Sequence, residues 1–366
     1  MSVFDEVQSG LEGVVAFATE IAEPDRDASA LRYRGVDIEE LAGRVPFEQV
    51  WGLLVDGRLT PGLPAADPFT LTIRTGDPRV DLQATLATLA PLWGLPPLLE
   101  SSPAQARDDL ARASAVALSA VAQSARGAEV PAVPEATVAA GGSSAERFLL
   151  RWRGEADPAH VRAIDAYWTT AAEHGNSSST FAARTIASTG ADVAAALSGA
   201  VAVLSGPLHG GAPSRVLAML DEVAAADDAL TYVRAKLDRG ERLMGFGHRI
   251  YRADDPRAKV MRRFARELGA PRVAAAEALE AAALTELAAR RPGRVIATNV
   301  EFWAAVLLDF AAVPGDLFTA MFGCARVAGW SAHILEQNRE ARVIRPTAKY
   351  VGAAPRPLPG PEPGEG

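Results

Sequence analysis

The sequence predicts a mainly α-helical fold, and two observations favour it. Alanine and leucine dominate long segments of the 366-residue chain, and alanine has the highest helix propensity of all residues. Alternation of apolar and polar residues, which is typical of a half-buried strand, is scarce. The two plausible strands are residues 13–22 and 343–352.

Apolar residues at helical spacing predict the individual helices. In chain order these are residues 108–125, 193–204, 214–226, 271–291 and 301–313. Proline and glycine gather between such segments, where they favour loops. The proline-rich end, residues 353–366, has no apolar periodicity, so we expect a disordered tail there.

Charge and cysteine content narrow the function classes. The net charge of −8 argues against a general nucleic-acid binder, which would present a basic face. The single cysteine, Cys324, excludes an intrachain disulfide and a cysteine-bound metal cluster, and it fits a reducing compartment. Asp5 and Glu6 stand where a secretion signal is basic and then apolar, and residues 193–204 are too short to cross a bilayer. We expect a soluble cytoplasmic protein that binds neither nucleic acid nor membranes.

The stretch "MGFGHRIYRADDPRAK", residues 244–259, places a histidine between glycines and arginines. Glycine lets a backbone approach a ligand closely, His248 can change charge near neutral pH, and Arg257 can grip an anion with two nitrogens. Pro256 predicts a helix start, where an anion can also bind. The stretch therefore predicts a site for an anionic small molecule, although a solvated basic loop has the same composition.

Three further candidates lie near predicted helix starts. His209 precedes a helix beginning near Pro213, and the helix dipole there favours a neutral ring that can donate to a carbonyl. Glu301 falls in the first turn of a helix capped by Thr298 or Asn299, as a dipole partner or as a reactive carboxylate. His174 in "EHGNSSSTFAAR" lies beside either a pocket or a simple helix cap.

Taken in order, the motifs resemble one family. "ALRYRGVDIEELA", "GPLHGGAPSRVLAML", "LMGFGHRIYRADDPRAKVM", "TNVEFW" and "FGCARVAGWSAHILEQ" together look like the citrate synthase family over residues 10–352, closest to its short actinobacterial form. The resemblance implies a helical homodimer in which a smaller helical domain closes over the active-site cleft of a large helical domain. Residues 1–210 and 314–352 would form the large domain, and residues 211–313 the small one.

The resemblance also implies a reaction. Glu301 would remove a proton from the methyl group of acetyl-CoA, His209 would donate to the thioester oxygen, and His248 would polarise the ketone of oxaloacetate. Hydrolysis of the citryl thioester then releases citrate and CoA. No metal and no cofactor are implied, since acetyl-CoA is a co-substrate.

The binding residues carry over by motif in two groups. Oxaloacetate is a dianion, and His174, His248, Arg257, Arg326 and Arg345 would bind it, with Arg345 supplied by the partner subunit. The positions that match CoA contacts are Arg252, for a phosphate, and the backbone of Leu243, Met244, Gly245, Phe246 and Gly247, against the adenine.

The chain departs from the family pattern at two positions. Glu301 stands where most members have aspartate, and Ser177 where they usually have asparagine. The extra methylene moves the carboxylate by about 1.5 Å, and a misplacement of ~1 Å can cost on the order of 10²-fold in rate. We expect the backbone to compensate.

Three functions therefore stay open at this stage: citrate synthesis, 2-methylcitrate synthesis from propionyl-CoA, and a catalytically weak protein that binds CoA or oxaloacetate. The first two differ by one methylene in the acyl pocket, worth about 1–3 kcal/mol. The third is favoured only by the Glu301 substitution.

Overall fold

A computed structural model confirms the mainly helical fold. The residues that it describes are 7–11, 13–25, 28–207, 209, 213–224, 226, 228–247, 255–293 and 296–357.

Fifteen α-helices lie within the described residues. They are α1 (Ile38–Leu41), α2 (Phe47–Asp56), α3 (Pro78–Trp93), α4 (Pro103–Arg126), α5 (Glu135–Ala139), α6 (Ser144–Arg153), α7 (Pro158–Ala171), α8 (Ser178–Ser188), α9 (Val193–Val203), α10 (Pro213–Ala224), α11 (Ala229–Asp238), α12 (Pro256–Glu267), α13 (Val273–Arg290), α14 (Val300–Phe310) and α15 (Phe318–Glu340). Helices α4, α9, α10, α13 and α14 lie where the apolar spacing predicts helices.

Polar side chains begin the helices that carry the candidate site. The Asn299 side-chain oxygen accepts a hydrogen bond of 3.0 Å from the N–H of Glu301 and begins α14. Asp255 begins α12, with Pro256 at its first position, and Ser177 begins α8 in the same way. These caps satisfy N–H groups that a helix start leaves without a partner. The predicted helix starts at Pro256 and before Glu301 are confirmed.

One small antiparallel sheet lies near the start of the described chain. It consists of β1 (Ala22–Asp25), β2 (Ala30–Tyr33) and β3 (Val36–Asp37), with β2 in the middle. Arg34 and Gly35, which join β2 to β3, both have positive φ, as a two-residue hairpin requires. The sheet places the Tyr33 side chain in the interior.

The two predicted strands are wrong in position. Of residues 13–22 only the last belongs to a strand, and residues 343–352 form neither helix nor strand. A run of β-branched and aromatic residues suits a strand only where a neighbouring strand can pair with it. Neither segment has such a neighbour beyond the β1–β2 pair.

The long helix α15 packs against α2, α3, α4, α7, α8 and α9. At Gly329 the helix backbone contacts the residue that follows α7, and the Gly329 N–H donates to the carbonyl of Ala172 at 3.2 Å. A Cβ at this position would lie 2.7 Å from that carbonyl oxygen and would overlap the carboxylate of Glu173. The close contact brings Arg326 and Trp330 beside the end of α7 and the start of α8.

Helices α12 and α14 pack on each other, and both contact α7. The division into a large domain of residues 1–210 and 314–352 and a small domain of residues 211–313 stays a prediction. In the predicted tail, residues 353–357 form neither helix nor strand, and residues 358–366 lie outside the described residues.

Two further properties bear on the composition-based predictions. Cys324 is buried in α15 as a free thiol. None of the helices that the structure describes is both long enough and apolar enough to cross a membrane.

We predict that Gly329→Ala destabilises the protein although alanine favours helices. The added Cβ meets a backbone oxygen that cannot rotate away, and overpacking costs about 1–3 kcal/mol, more than the ~1 kcal/mol gained in helix propensity. Gly199→Ala in α9 is the matched control, because its Cβ would meet only the end of the Ile186 side chain. Urea unfolding should give a clearly lower free energy of unfolding for Gly329→Ala than for Gly199→Ala, and equal values would contradict the prediction.

Candidate active site

The segment predicted to lie against CoA runs alongside the start of α14. Phe246 pairs with Thr298 in an isolated antiparallel bridge. The Asn299 N–H donates to the Gly245 carbonyl at 2.9 Å, and the Asn299 side-chain amide donates to the Gly247 carbonyl at 3.0 Å. The backbone of residues 244–247 is therefore held next to the helix turn that carries Glu301.

Gly245 meets two conditions that exclude larger residues. Its φ is +85°, and a Cβ there would lie 2.8 Å from Cβ of Phe302 in α14. Other residues avoid positive φ, whereas glycine adopts it at no steric cost. Gly245, one of the glycines predicted to let a ligand approach, therefore also lets this segment pack on α14.

Glu301 is half-buried in the first turn of α14. Burial raises the pKa of its carboxyl to about 7, the positive charge of Arg257 opposes the rise, and the negative charge of Asp255 adds to it. Burial disfavours the charged form because water no longer solvates it. A carboxyl that titrates near neutral pH is suited to accept a proton as a general base.

Asp255 joins the starts of two helices. Its Oδ1 accepts hydrogen bonds from the backbone N–H and the Nε of Arg257, both at 3.0 Å, and its Oδ2 accepts from Arg257 Nη2 at 2.8 Å and from the N–H of Val300 at 3.0 Å. Asp255 and Arg257 are both buried. One carboxylate therefore caps α12, anchors α14 and orients the guanidinium near Glu301.

His209 is half-buried, and its Nε2 lies 2.9 Å from Oγ of Ser179. Burial, together with the positive charge of Arg326, lowers the pKa of the ring to about 4. The ring is therefore neutral at physiological pH. The sequence predicted the same neutral state from the helix dipole, whereas the structure identifies burial and a neighbouring cation as causes.

Arg326 lies close to His209. Its guanidinium stacks on Phe322 at 4.6 Å, and the ring of His209 meets the same phenylalanine edge to face at 6.0 Å. Arg326 Nη1 donates to Ser177 Oγ at 3.4 Å, while its Nε has no hydrogen-bond partner among the described residues. Burial lowers the pKa of the guanidinium, and the charge of Glu173 opposes that shift.

His174 is buried immediately after Glu173. The Tyr33 hydroxyl lies 3.1 Å from the carbonyls of Thr170 and Glu173, and it accepts a hydrogen bond from the Glu173 N–H at 3.2 Å. The small sheet, through Tyr33, therefore fixes the backbone that leads into His174.

The structure does not bring every predicted residue together. Arg345 is exposed, and no described contact joins it to His209, Glu301 or Arg326. His248 and Arg252 lie outside the described residues. Among the residues that are described, no three His, Cys, Asp or Glu side chains form a group that could hold a metal ion.

Sequence reasoning missed two residues that contact the site. Ser179 is fully buried against His209, and Trp330 Nε1 donates to Ser179 Oγ at 3.2 Å. The run "SSST" predicts either a pocket or a helix cap; Ser177 is the cap of α8, whereas Ser179 faces His209. The only sequence signal was the excess of hydroxyl residues, and Trp330 had none, because a tryptophan in a helix is usually a core residue.

The chain is similar to known proteins along most of its length. Residues 10–347 match the family model described as "Citrate synthase, C-terminal domain". The chain is 64% identical to "Putative citrate synthase 2" of Mycobacterium tuberculosis, over 95% of this chain and 93% of that protein. It is 31% identical to the 2-methylcitrate synthase of Shewanella oneidensis, over 95% of this chain and 96% of that protein.

A solved structure shares the fold across almost the whole chain. It is the ternary complex of citrate synthase from Thermoplasma acidophilum with carboxymethyl coenzyme A and oxaloacetate, at 26% identity. The TM-score is 0.81, and the match covers 97% of this chain and 98% of the other. That protein binds a CoA derivative and oxaloacetate together.

We predict that Asp255→Ala lowers the free energy of unfolding far more than the loss of an ordinary helix cap. Breaking a buried ion pair costs about 3–5 kcal/mol, and α14 also loses its bond at Val300. Asp228→Ala is the matched control, since Asp228 caps α11 through the Thr231 N–H at 2.9 Å but is exposed. Urea unfolding of both variants measures the difference, and similar losses would contradict the role given to Asp255.

Proposed function

The chain belongs to the citrate synthase family and is an acyltransferase of that family, and on this premise we propose that it condenses acetyl-CoA with oxaloacetate and water to give citrate and CoA. One observation carries the proposal: the site shifts the pKa of Glu301 up and that of His209 down. Environments that separate two titratable groups in this way assign a base and a neutral donor.

In the first step, Glu301 accepts a proton from the methyl group of acetyl-CoA while His209 donates a hydrogen bond to the thioester oxygen. Negative charge develops on that oxygen in the enolate. A preorganised donor aimed at such a charge is worth about 10²–10³ in rate. The low pKa of His209 supports this role, because the ring stays neutral and acts as a donor without losing its proton.

In the second step, the enol carbon attacks the ketone carbon of oxaloacetate, whose oxygen would be polarised by His248. Water then hydrolyses the citryl thioester and releases CoA. The two carboxylates of oxaloacetate would be bound by Arg257 and Arg326 with His174, and by Arg345 from the partner subunit of a homodimer. The burial of Arg257 and Arg326 supports this assignment, since a charge out of water interacts more strongly with a dianion.

CoA would lie along the backbone of residues 243–247, with Arg252 on a phosphate. The contact of this segment with the start of α14 supports the placement, because it puts the proposed CoA-binding backbone next to the helix turn that carries Glu301. We place the enzyme in the cytoplasm and in the tricarboxylic acid cycle, with no cofactor and no metal.

A second candidate is 2-methylcitrate synthesis from propionyl-CoA, favoured by the similarity to the Shewanella oneidensis enzyme. The third hypothesis, a catalytically weak binding protein, has less support, because the raised pKa of Glu301 suits a working base. Thiol release from acetyl-CoA and from propionyl-CoA, each with oxaloacetate, tests the three. Faster release from propionyl-CoA favours the second candidate, and no release from either, with ligand binding retained, favours the third.

We predict that Glu301→Gln lowers kcat by about 10²–10⁴, the range for loss of a general base, while oxaloacetate still binds. Glu277→Gln is the control, since Glu277 lies on α13 and pairs with Arg266 of α12, outside the site. Thiol release measures turnover, and calorimetry with oxaloacetate measures binding. A fully active Glu301→Gln variant would remove Glu301 from the mechanism.

The pH dependence should follow the Glu301 carboxyl. The base acts when ionised, so activity should rise with pH and level off above about pH 7, where Glu301 is charged. His209 has a pKa of about 4 and does not titrate in this range. In Glu301→Gln any residual activity should lack this rise, and a rise that persists would assign it to another group.

The contribution of Glu301 to the free energy of unfolding should fall as pH rises, whereas activity should rise. The folded protein holds the Glu301 proton above the ordinary pKa of 4.5, so between pH 4.5 and about pH 7 the folded state binds more protons than the unfolded chain. Stability contributed by the neutral carboxyl is therefore lost as pH rises through this window. Glu301→Gln should raise the free energy of unfolding at pH 8 more than at pH 5, and urea unfolding at both values checks it.

A further inference from the structure

A cavity of about 290 Å³ lies between α4, α5, α6 and the loop of residues 63–68. The described residues that line it do not include His209, Arg257, Glu301 or Arg326, so it is separate from the candidate active site. Its volume is close to the lower end of the ~300–1,000 Å³ that is typical of small-molecule sites. The cavity can therefore hold a compact ligand that the proposed reaction does not use.

The walls of this cavity are mostly apolar. Leu118 of α4, Val138 of α5 and Phe148 of α6 line it and are buried. Pro64 and Ala136 also line it but are exposed, so the cavity opens to solvent at their edge. The hydrophobic effect favours the entry of an aliphatic chain, because the chain and the buried walls then leave water together.

Arg147 of α6 adds a cation to the lining. Its side chain is half-buried, and its Nη1 donates to the Gly141 carbonyl at 3.0 Å and its Nη2 to Ser144 Oγ at 3.4 Å. Both acceptors are neutral, and within the described part of the chain no carboxylate forms an ion pair with Arg147. A guanidinium has five N–H donors, so these two bonds leave donors for an anionic ligand.

The chain around Gly141 holds Arg147 in place. A Cβ at Gly141 would lie 2.9 Å from Cγ of Arg147, so glycine lets the arginine stem pack closely against the backbone. This contact and the two hydrogen bonds fix the guanidinium beside the cavity before a ligand arrives. A cation that is already ordered loses less conformational entropy on binding than a mobile one.

The second arginine of the lining is already neutralised. Arg151 is buried, and its Nη1 and Nη2 donate to Oε1 and Oε2 of Glu135 at 2.6 Å and 2.7 Å. The hydrogen bonds from Arg151 hold the pKa of the Glu135 carboxyl below its ordinary value, so Glu135 stays charged and cancels the charge of Arg151. Among the described residues of the lining, the charge of Arg147 is therefore left without compensation.

We propose that this cavity binds a small aliphatic carboxylate, with the carboxylate on Arg147 and the chain against Leu118, Val138 and Phe148. A guanidinium can bind a carboxylate through two parallel N–H bonds, and the chain needs only apolar walls. The inference goes beyond the proposed function and does not rest on it, since the ligand is neither acyl-CoA nor oxaloacetate and its binding requires no turnover.

Octanoate is the probe, and isothermal titration calorimetry on the full-length protein measures its binding. We expect hexanoate to bind about tenfold more weakly, because it buries two methylenes fewer. Octanol should also bind at least tenfold more weakly, because it lacks the charge that pairs with Arg147. An absence of octanoate binding, an affinity that does not depend on chain length, or octanol binding as tightly as octanoate would each overturn the proposal.

A titration in the presence of saturating oxaloacetate tests whether the site is separate from the active site. The affinity for octanoate should be the same with and without oxaloacetate. Competition between the two ligands would mean that octanoate enters the active site, and it would overturn the proposal.

The matched pair of variants is Arg147→Gln and Arg79→Gln. Arg79 is also half-buried on a helix and also donates to a neutral oxygen, Gln83 Oε1 at 2.7 Å, but it lies on α3 and outside the lining of the cavity. Arg147→Gln should weaken octanoate binding about ten- to hundredfold, the range for losing a charged hydrogen-bond partner. Arg79→Gln should leave the affinity unchanged, and equal effects of the two substitutions would overturn the proposal.

Ala115→Leu tests the part of the cavity assigned to the aliphatic chain. Ala115 is buried in α4 and lines the cavity, so the larger side chain would occupy the space of the octanoate chain and leave Arg147 in place. Octanoate binding should be lost, while urea unfolding should give a free energy of unfolding no lower than that of the wild type, because the cavity accommodates the added atoms. Undiminished octanoate binding, or a clear loss of stability, would contradict the assignment to this cavity.

Discussion

The position of Glu301 depends on the carboxylate of Asp255. It bonds the first turns of α12 and α14 together and holds the guanidinium of Arg257 between them. A charged acceptor satisfies the N–H groups of two helix starts and a buried cation at the same time, which a neutral side chain cannot do. The same carboxylate adds to the rise in the pKa of Glu301, so one residue contributes both the geometry and the basicity of the proposed base.

Helix α15 positions the part of the candidate site that surrounds His209. Arg326 and Trp330 lie one helical turn apart on this helix, so they share a face, and the close approach at Gly329 sets that face against the segment that follows α7. Further along, Nε2 of the buried His333 lies 3.3 Å from the buried Glu173, and His333 Nδ1 accepts from Arg184 at 3.0 Å. The buried Arg184 and the buried Glu173 thus lie at opposite nitrogens of the His333 ring, and removing any one of the three leaves a buried polar group without its partner.

The glutamate at position 301 fits this arrangement. Its helix turn is tied by three interactions, the Asn299 cap, the bond from Val300 to Asp255 and the bridge between Phe246 and Thr298. A rigid backbone allows the longer glutamate side chain to be positioned reproducibly, because the extra methylene adds only one rotatable bond compared with aspartate. The departure from aspartate is therefore compatible with a defined carboxylate position.

Much of the helical structure could be predicted from residue types that are close together in the sequence. Helical spacing and alanine content predicted α4, α9, α10, α13 and α14. The helix starts at Pro256 and before Glu301 followed from nearby residue types, and the structure then identified Asn299 rather than Thr298 as the cap of α14. The strand predictions are wrong because strand formation depends on pairing, which is not a local property. Residues 343–352 have strand-like composition but no neighbouring strand. Family motifs predicted His209, Glu301 and Arg326 as site residues, and the structure places each beside a buried charge that shifts a pKa.

Only the tertiary structure decided what those side chains meet. Ser179 and Trp330 are separated by 151 positions in the chain, and neither periodicity nor residue type indicates that an indole donates to one particular serine. The neutral state of His209 was predicted from a helix dipole, but burial and Arg326 are its causes. A sequence specifies which groups can donate, accept or titrate, whereas burial and the choice of partner arise when distant segments pack together.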